Sequence, residues 1–208
     1  MIKKALFLFY ILVSFFGWSQ QNDSLPRLGS SDQVDNRIEL DRYIKHPVFE
    51  LSFLDKYFTF KDSLKVKTGF SFALDYSAQA YWTNSKMGEK NASSGIFRFY
   101  GSWELVGRKS GNSGALVYKL EHRHKYGNIP PFQLGFSTGF VGITSAPFND
   151  YGYRTQNLYW RQRLVKGRIA IVAGFLDVTD FFDVYALASP WMHFNNFSFC
   201  NIFFMVYY

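Results

Sequence analysis

From Lys67 to Trp82 the side chains change character at almost every step. Phe70, Phe72, Leu74, Tyr76, Ala78, Ala80 and Trp82 fall on one side, and Lys67, Gly69, Ser71, Ala73, Asp75, Ser77, Gln79 and Tyr81 on the other. A period of two is the signature of an extended strand with one apolar and one mostly polar face. The stretch is long: ordinary strands run about 5–6 residues, whereas a tilted membrane-crossing strand needs about 9–11. A long strand with an aromatic-rich face and a polar face suits a barrel wall between lipid and water.

The pattern recurs. Ile96 to Leu105 sets Phe97, Phe99, Trp103 and Leu105, with Gly101 between them, against Ile96, Arg98, Tyr100, Ser102 and Glu104. Ala115 to Lys125 sets Leu116, Tyr118, Leu120, His122 and His124 against Ala115, Val117, Lys119, Glu121, Arg123 and Lys125. Tyr153 to Val165 places Leu158, Trp160 and Leu164 opposite Asn157, Tyr159, Arg161 and Arg163. Lys166-Gly167 is a tight turn into Arg168–Leu176, where Ile169, Ile171, Ala173 and Phe175 point outward. The segments Thr83–Gly95 and Val106–Gly114 carry the Gly, Ser, Asn and Lys of turns. The predicted fold class is all-β: an antiparallel up-and-down meander of an outer-membrane β-barrel, partial and open in this chain, in a single curved sheet with unpaired edges. The outward rings Phe70, Phe72, Phe97, Phe99 and Trp160 are expected to be exposed. Asn128–Gly152, with Pro130, Pro131 and Pro147, reads as an extracellular or pore-narrowing loop that could hold a short strand over Gln133–Phe140. Upstream, Ile38–Phe60 reads as weak helix interrupted at Pro47, or as irregular chain in or below the barrel. A helical turn fits within Asp177–Pro190.

Composition agrees with a lipid-facing wall. Aromatics make up 21% of the 208 residues. That much ring surface would need a very large core in a soluble domain, but in a barrel it is spread over the lipid face and two interfacial girdles. Mean hydropathy is only −0.12, and no apolar run beyond the N-terminus approaches the length of a membrane helix. At the N-terminus, Lys3 and Lys4 precede an apolar Ala5–Phe16, and Gly17 and Ser19 supply small residues for cleavage before Gln20. This is the pattern of a secretory signal peptide. The predicted organisation is therefore a signal peptide over 1–19, a polar leader and weakly helical segment over 20–60, with Gln20–Arg37 flexible, and the barrel domain over 61–208. The end, Ile202–Tyr208, loses the alternation. It reads as a truncated or out-of-frame end in preference to a terminal aromatic assembly signal. Cys200 is the only cysteine, so no intrachain disulfide forms. The net charge of +7 fits a cation-lined channel or plain solubility equally well, and export disfavours nucleic acid as a partner.

The facing assigns the water-side candidates. Lys67, Asp75, Gln79, Arg98, Glu104, Lys119, Glu121, Arg123, Arg161 and Arg163 are expected to line a solute path. Charged and amide groups there would hydrogen-bond sugar hydroxyls weakly enough for passage; the alternative is a set of cross-strand charge ladders that stiffen the wall. Asp177, Asp180 and Asp183 do not match a calcium loop, and a capping turn explains them better. His122 and His124 share a face but lack a third ligand, and an interfacial position explains them better than a metal. Neither a phosphate loop nor a catalytic set is legible: Ser71, Ser77 and His122 cannot be ordered into one. No cofactor is expected. Outer-membrane lipid and small carbohydrates are the expected partners.

Two tracts also resemble a known family. The run Tyr-Gly-Tyr-Arg-Thr-Gln-Asn-Leu-Tyr-Trp-Arg-Gln-Arg-Leu ending at Leu164 and the run Gly167-Arg-Ile-Ala-Ile-Val-Ala-Gly-Phe-Leu-Asp-Val-Thr-Asp-Phe-Phe-Asp resemble the carbohydrate-selective porins of the OprB type. Phe194-Asn195-Asn196 resembles a further element of that family, and the resemblance spans Lys67–Phe199. It implies passive diffusion of carbohydrate across the outer membrane of a Gram-negative bacterium, with no enzymatic activity. Arg161 stands where that family usually has an acidic residue. Its members are about twice as long and close larger barrels, so this chain corresponds to an N-terminal half and is expected to be non-conducting alone. The competing readings are an eight-stranded structural or adhesion barrel and, further off, a barrel enzyme.

Overall fold

The computed structural model describes residues 33–40, 52–140 and 142–182. Five strands form one sheet: β1 Phe70–Trp82, β2 Asn91–Val106, β3 Gly114–Lys125, β4 Gly152–Leu164 and β5 Ile169–Phe175. They pair in sequence order, each antiparallel to the next. The expected meander is present, with boundaries close to those read from the alternation except at β2, which begins at Asn91, inside the expected loop Thr83–Gly95. Among the described residues the sheet is not closed: β1 and β5 are its edges. The expected signal peptide and the aromatic tail Ile202–Tyr208 lie outside the described residues.

Helices flank the meander. Helix α1 spans Val34–Leu40, a 3-10 turn covers Ser52–Leu54, α2 runs Asp55–Thr68, α3 Pro131–Ser137 and α4 Thr179–Phe182. Three expectations are corrected here. Lys67 is not a strand residue; it sits in the last turn of α2. That helix runs on until Gly69, at φ 77°, closes it with a backbone bond from its N–H to Lys65 O at 2.9 Å. A left-handed residue is the ordinary helix stop, and glycine takes it without a Cβ penalty. The alternation therefore begins only after this cap. Second, Gln133–Phe140 is not a strand: Pro131 opens α3, where the missing proline N–H is no loss. Third, the polar leader does not stay irregular to Arg37, because α1 begins at Val34.

The burial of the sheet is inverted relative to a soluble sandwich. Ala73, Ser94, Ile96, Arg98, Tyr100, Val117, Lys119, Glu121, Asn157, Tyr159 and Arg161 are buried. Leu74, Phe97, Leu120, Leu158, Ile171 and Phe175 are exposed. The polar side is thus the covered one and the apolar side the open one. Val34 of α1 packs into a small cluster with Ala73, Tyr100, Val117 and Tyr159, flanked by Ile38, Val172 and Phe181.

On the open face the rings shield one another. Phe70 stacks on Tyr118 at 5.8 Å, and Phe72 and Phe99 approach to 6.2 Å. Of the five rings expected to be exposed, Phe97 is 42% exposed, while Phe70, Phe72, Phe99 and Trp160 are half-buried. Mutual packing of neighbouring rings accounts for the difference. Glycines make room for these rings. A Cβ on Gly101 would run into the Tyr118 ring and the Ser71 carbonyl, and one on Gly95 into the hydroxyls of Tyr76 and Tyr126. Covering a strand glycine with a cross-strand ring protects its exposed backbone. Gly101→Val is therefore expected to destabilise the fold by about 1–3 kcal/mol, because the overpacked ring must leave its place. Denaturant titration of detergent-refolded protein checks this; an unchanged midpoint would refute it.

Candidate functional site on the covered face

The covered face is crossed by charge, and each group there must find a partner because water is largely excluded. Antiparallel register sets Asp75 of β1 directly opposite Arg98 of β2, and Arg98 opposite Glu121 of β3. Arg98 Nε donates to Asp75 Oδ1 at 2.6 Å. Helix α1 reaches down from above: Arg37 Nη2 donates to the other oxygen, Asp75 Oδ2, at 2.7 Å. Asp75 thus holds one guanidinium from the wall and one from the helix. Alongside, Arg123 donates through Nε and Nη2 to Glu121 Oε2 at 2.8 and 2.6 Å, and Gln156 Nε2 donates to the same oxygen at 3.1 Å.

A local irregularity brings Gln156 there. Lys119 pairs with Asn157 while the next residue, Leu120, pairs with Thr155. Gln156 is the extra residue of a β-bulge, so two residues of β4 stand against one of β3. Arg154, rather than its neighbour, then comes opposite Glu121.

A third set forms around α4. Asp180 is buried and accepts from Lys119 Nζ at 3.3 Å and from Asn157 Nδ2 at 2.7 Å. Asp177 Oδ1 accepts from the Thr179 N–H at 3.0 Å and the Thr179 hydroxyl at 2.6 Å. Asp177 therefore caps the helical turn expected within Asp177–Pro190, and Asp180 joins the wall; Asp183 lies outside the described residues. The fourth set involves Asp35 of α1, which pairs closely with Arg161 and also meets Arg163 Nη2 at 3.4 Å. Beneath it lies a cavity of about 100 Å³ lined by Asp35, Ile38, Lys65, Ser71, Ser102, Glu104, Arg161 and Arg163.

Of the ten residues expected to line a path, nine lie on this face. Asp75 and Arg98 are brought together, as are Glu121 and Arg123, and Arg161 and Arg163 share one carboxylate. Glu104 borders the cavity. Gln79 Nε2 donates to the Tyr81 hydroxyl at 3.1 Å, which is itself hydrogen-bonded to Ser145 at 2.7 Å. Lys67 stands apart on α2, exposed. Sequence reasoning missed Asp35, Arg37, Asn157 and Lys65 as members of the site. For Asp35 and Arg37 the signal was slight, two opposite charges two apart inside a polar leader.

His122 and His124 stand on the open face, stacked at 5.3 Å, with Tyr153 4.3 Å from the first and the Tyr76 hydroxyl hydrogen-bonded to His124 Nε2 at 2.9 Å. Among the described residues no group of three or more potential metal ligands gathers. Ser71 and Ser77 belong to the covered face and His122 to the open one, so these three do not converge. Comparison with known protein families, with curated proteins and with solved structures finds no match for this chain.

The buried pair and an exposed one should respond differently to truncation. Asp75→Ala removes the carboxylate that Arg98, only 2% exposed, and Arg37 share; the expected loss is about 3 kcal/mol. Asp150→Ala breaks the solvent-exposed pair with Lys125 and should cost less than about 1 kcal/mol. Equal effects in chemical denaturation would contradict the assignment of Asp75 as the joint between helix and wall.

Proposed function

We propose that this chain forms part of the wall of an outer-membrane β-barrel porin through which carbohydrate diffuses passively. The observation that carries the reading is the inverted burial: charge on the covered face, rings and aliphatics on the open face. A sheet in water on both sides gains nothing from exposing Leu74, Phe97, Trp103, Leu120 and Ile171 together. Against lipid the same face is the favourable one.

Two further features support it. β1 to β4 contain 13, 16, 12 and 13 residues, at or above the length a tilted strand needs to cross a bilayer. The open face also carries amphipathic rings at two levels. Tyr76, His122 and Tyr153 lie in one cross-strand row, and Trp103 and Trp160 in another. The rows are six positions apart on β2, roughly 20 Å along the strand. Such girdles mark the two membrane–water interfaces of a barrel. The solute class is proposed from the sequence resemblance of the β4–β5 hairpin to carbohydrate-selective porins alone. Transport would need no cofactor or covalent step, and the cell outer membrane of a Gram-negative bacterium is the proposed location.

One observation favours a second reading. Helix α1 is seated on the covered face and ion-paired to it, as in a small barrel whose interior is filled by protein. That protein would be a structural or adhesion barrel without a channel.

The test is reconstitution in lipid vesicles. Single cysteines placed at Leu74, Phe97 and Leu120 in a Cys200→Ser background should react with a lipid-phase probe, and cysteines at Ser94 and Ser102 should not. Equal labelling of both sets would overturn the lipid-facing wall. Planar-bilayer current from the assembled protein that falls on adding a sugar supports the porin. Lipid-facing labelling with no current in any assembly supports the filled barrel.

A further inference from the structure

The cavity under α1 gathers three cations around two acids. Here Arg161, Arg163 and Lys65 stand against Asp35 and Glu104, leaving one positive charge in surplus. Arg161 is 1% exposed, and its Nε has no hydrogen-bond partner among the described residues. A buried donor without an acceptor is costly, and on a guanidinium more so, so the site is incomplete as it stands.

We propose that this cavity binds the carboxylate of a small acidic carbohydrate, with Arg161 and Arg163 holding the anion and Asp35 acting as its built-in competitor. The assignment rests on reading the covered face as a solute path and narrows the solute from neutral sugar to sugar acid. Two guanidinium groups at alternate positions of one strand converge on one carboxylate, Asp35, and guanidinium is the side chain best matched to a carboxylate. Asp35 already occupies that place as a side chain of α1, which identifies the chemistry the pair accepts. A volume of about 100 Å³ equals roughly three water molecules. It admits a carboxylate and the first carbons behind it, with the ring left at the mouth. Arg163 is 30% exposed on its side chain and marks that mouth; Lys65, on the rim, is exposed. The two serine hydroxyls in the lining can hydrogen-bond to sugar hydroxyls. A dianion such as phosphate fits less well, because the surplus is a single charge and Asp35 and Glu104 would repel the second. A carboxylate that displaces Asp35 also removes one of the two ion-paired contacts of α1, so binding should loosen the helix from the wall.

The experiment titrates the refolded full chain in detergent with glucuronate, glucose and inorganic phosphate, read by calorimetry. Glucuronate should bind about tenfold or more tighter than glucose, since a charge-assisted pair is lost with the neutral sugar, and phosphate should bind more weakly than glucuronate. Arg161→Gln should abolish the preference. Because that buried substitution can also disturb folding, Lys65→Gln on the exposed rim is the companion variant, expected to weaken glucuronate binding about threefold with an unchanged circular dichroism spectrum. Asp35→Asn should tighten it several-fold by removing the competitor. Equal affinity for glucose and glucuronate, no binding of either, or weaker binding in Asp35→Asn would each overturn the proposal. Glucuronate binding by a chain that fails lipid-phase labelling would keep the site and sink the outer-membrane reading. Correct labelling without glucuronate binding would sink the site alone.

Discussion

The arrangement of the covered face, and of the helices seated on it, follows from the need to pair charge on the side of the sheet that is shut away from water. Antiparallel register supplies part of the pairing, by setting Asp75 across from Arg98 and Arg98 across from Glu121. The wall alone cannot finish the task, because it carries more cations than acids. The missing carboxylates come from outside the sheet: Asp35 from the helix before it and Asp180 from the helical turn after it. Breaking one such pair leaves a desolvated charge behind, which costs more than the pair itself contributes. Helices α1 and α4 are therefore tied to the wall by ion pairs, beside a small apolar cluster under Val34.

The open face obeys the opposite logic. Its side chains have little to bond and much to shield, so they pack on each other. Tyr118 lies over Gly101 and is flanked by Phe70 and Phe99, and Trp160 lies over Gly114. Large rings beside bare backbone give a smooth apolar layer one side chain thick. In water such a layer invites association through both the face and the two sheet edges; in a bilayer the face is solvated by lipid, and the edges still require partners.

How far the sequence discloses this depends on the range of the interaction. The strands were legible because a period of two is imposed residue by residue, and the pairing order followed from short loops. The start of β1 was misplaced by three residues because Lys67 and Gly69 happen to continue the polar phase, while the left-handed Gly69 belongs to the helix before it. Gln133–Phe140 carries enough apolar residues for a strand, but Pro131 at a helix start outweighs them. The wall's cations were found by facing alone. Their partners Asp35 and Asp180 were not, since those pairs join residues more than sixty positions apart, or in the case of Asp35 and Arg161 well over a hundred, and no local pattern marks such a closure. Asp180 was noticed only as one of three spaced acids, and the capping explanation holds for its neighbour Asp177.

The bulge at Gln156 gives β4 a change of phase. On the Asn157 side of it, odd-numbered residues face the charged interior; on the other side, Arg154 takes that direction and Tyr153 turns toward the rings. Paired without a bulge, the same sequence would keep one parity throughout, and it would bring Tyr153 into the charge network and Arg154 into the apolar layer. A single surplus residue thus lets one strand serve two incompatible surroundings in succession. It also means that a one-residue insertion or deletion elsewhere in β4 acts as a frame error of orientation, one that exchanges interior for exterior along a whole half-strand while leaving its composition almost untouched, whereas a deletion at the bulge itself only restores regular pairing.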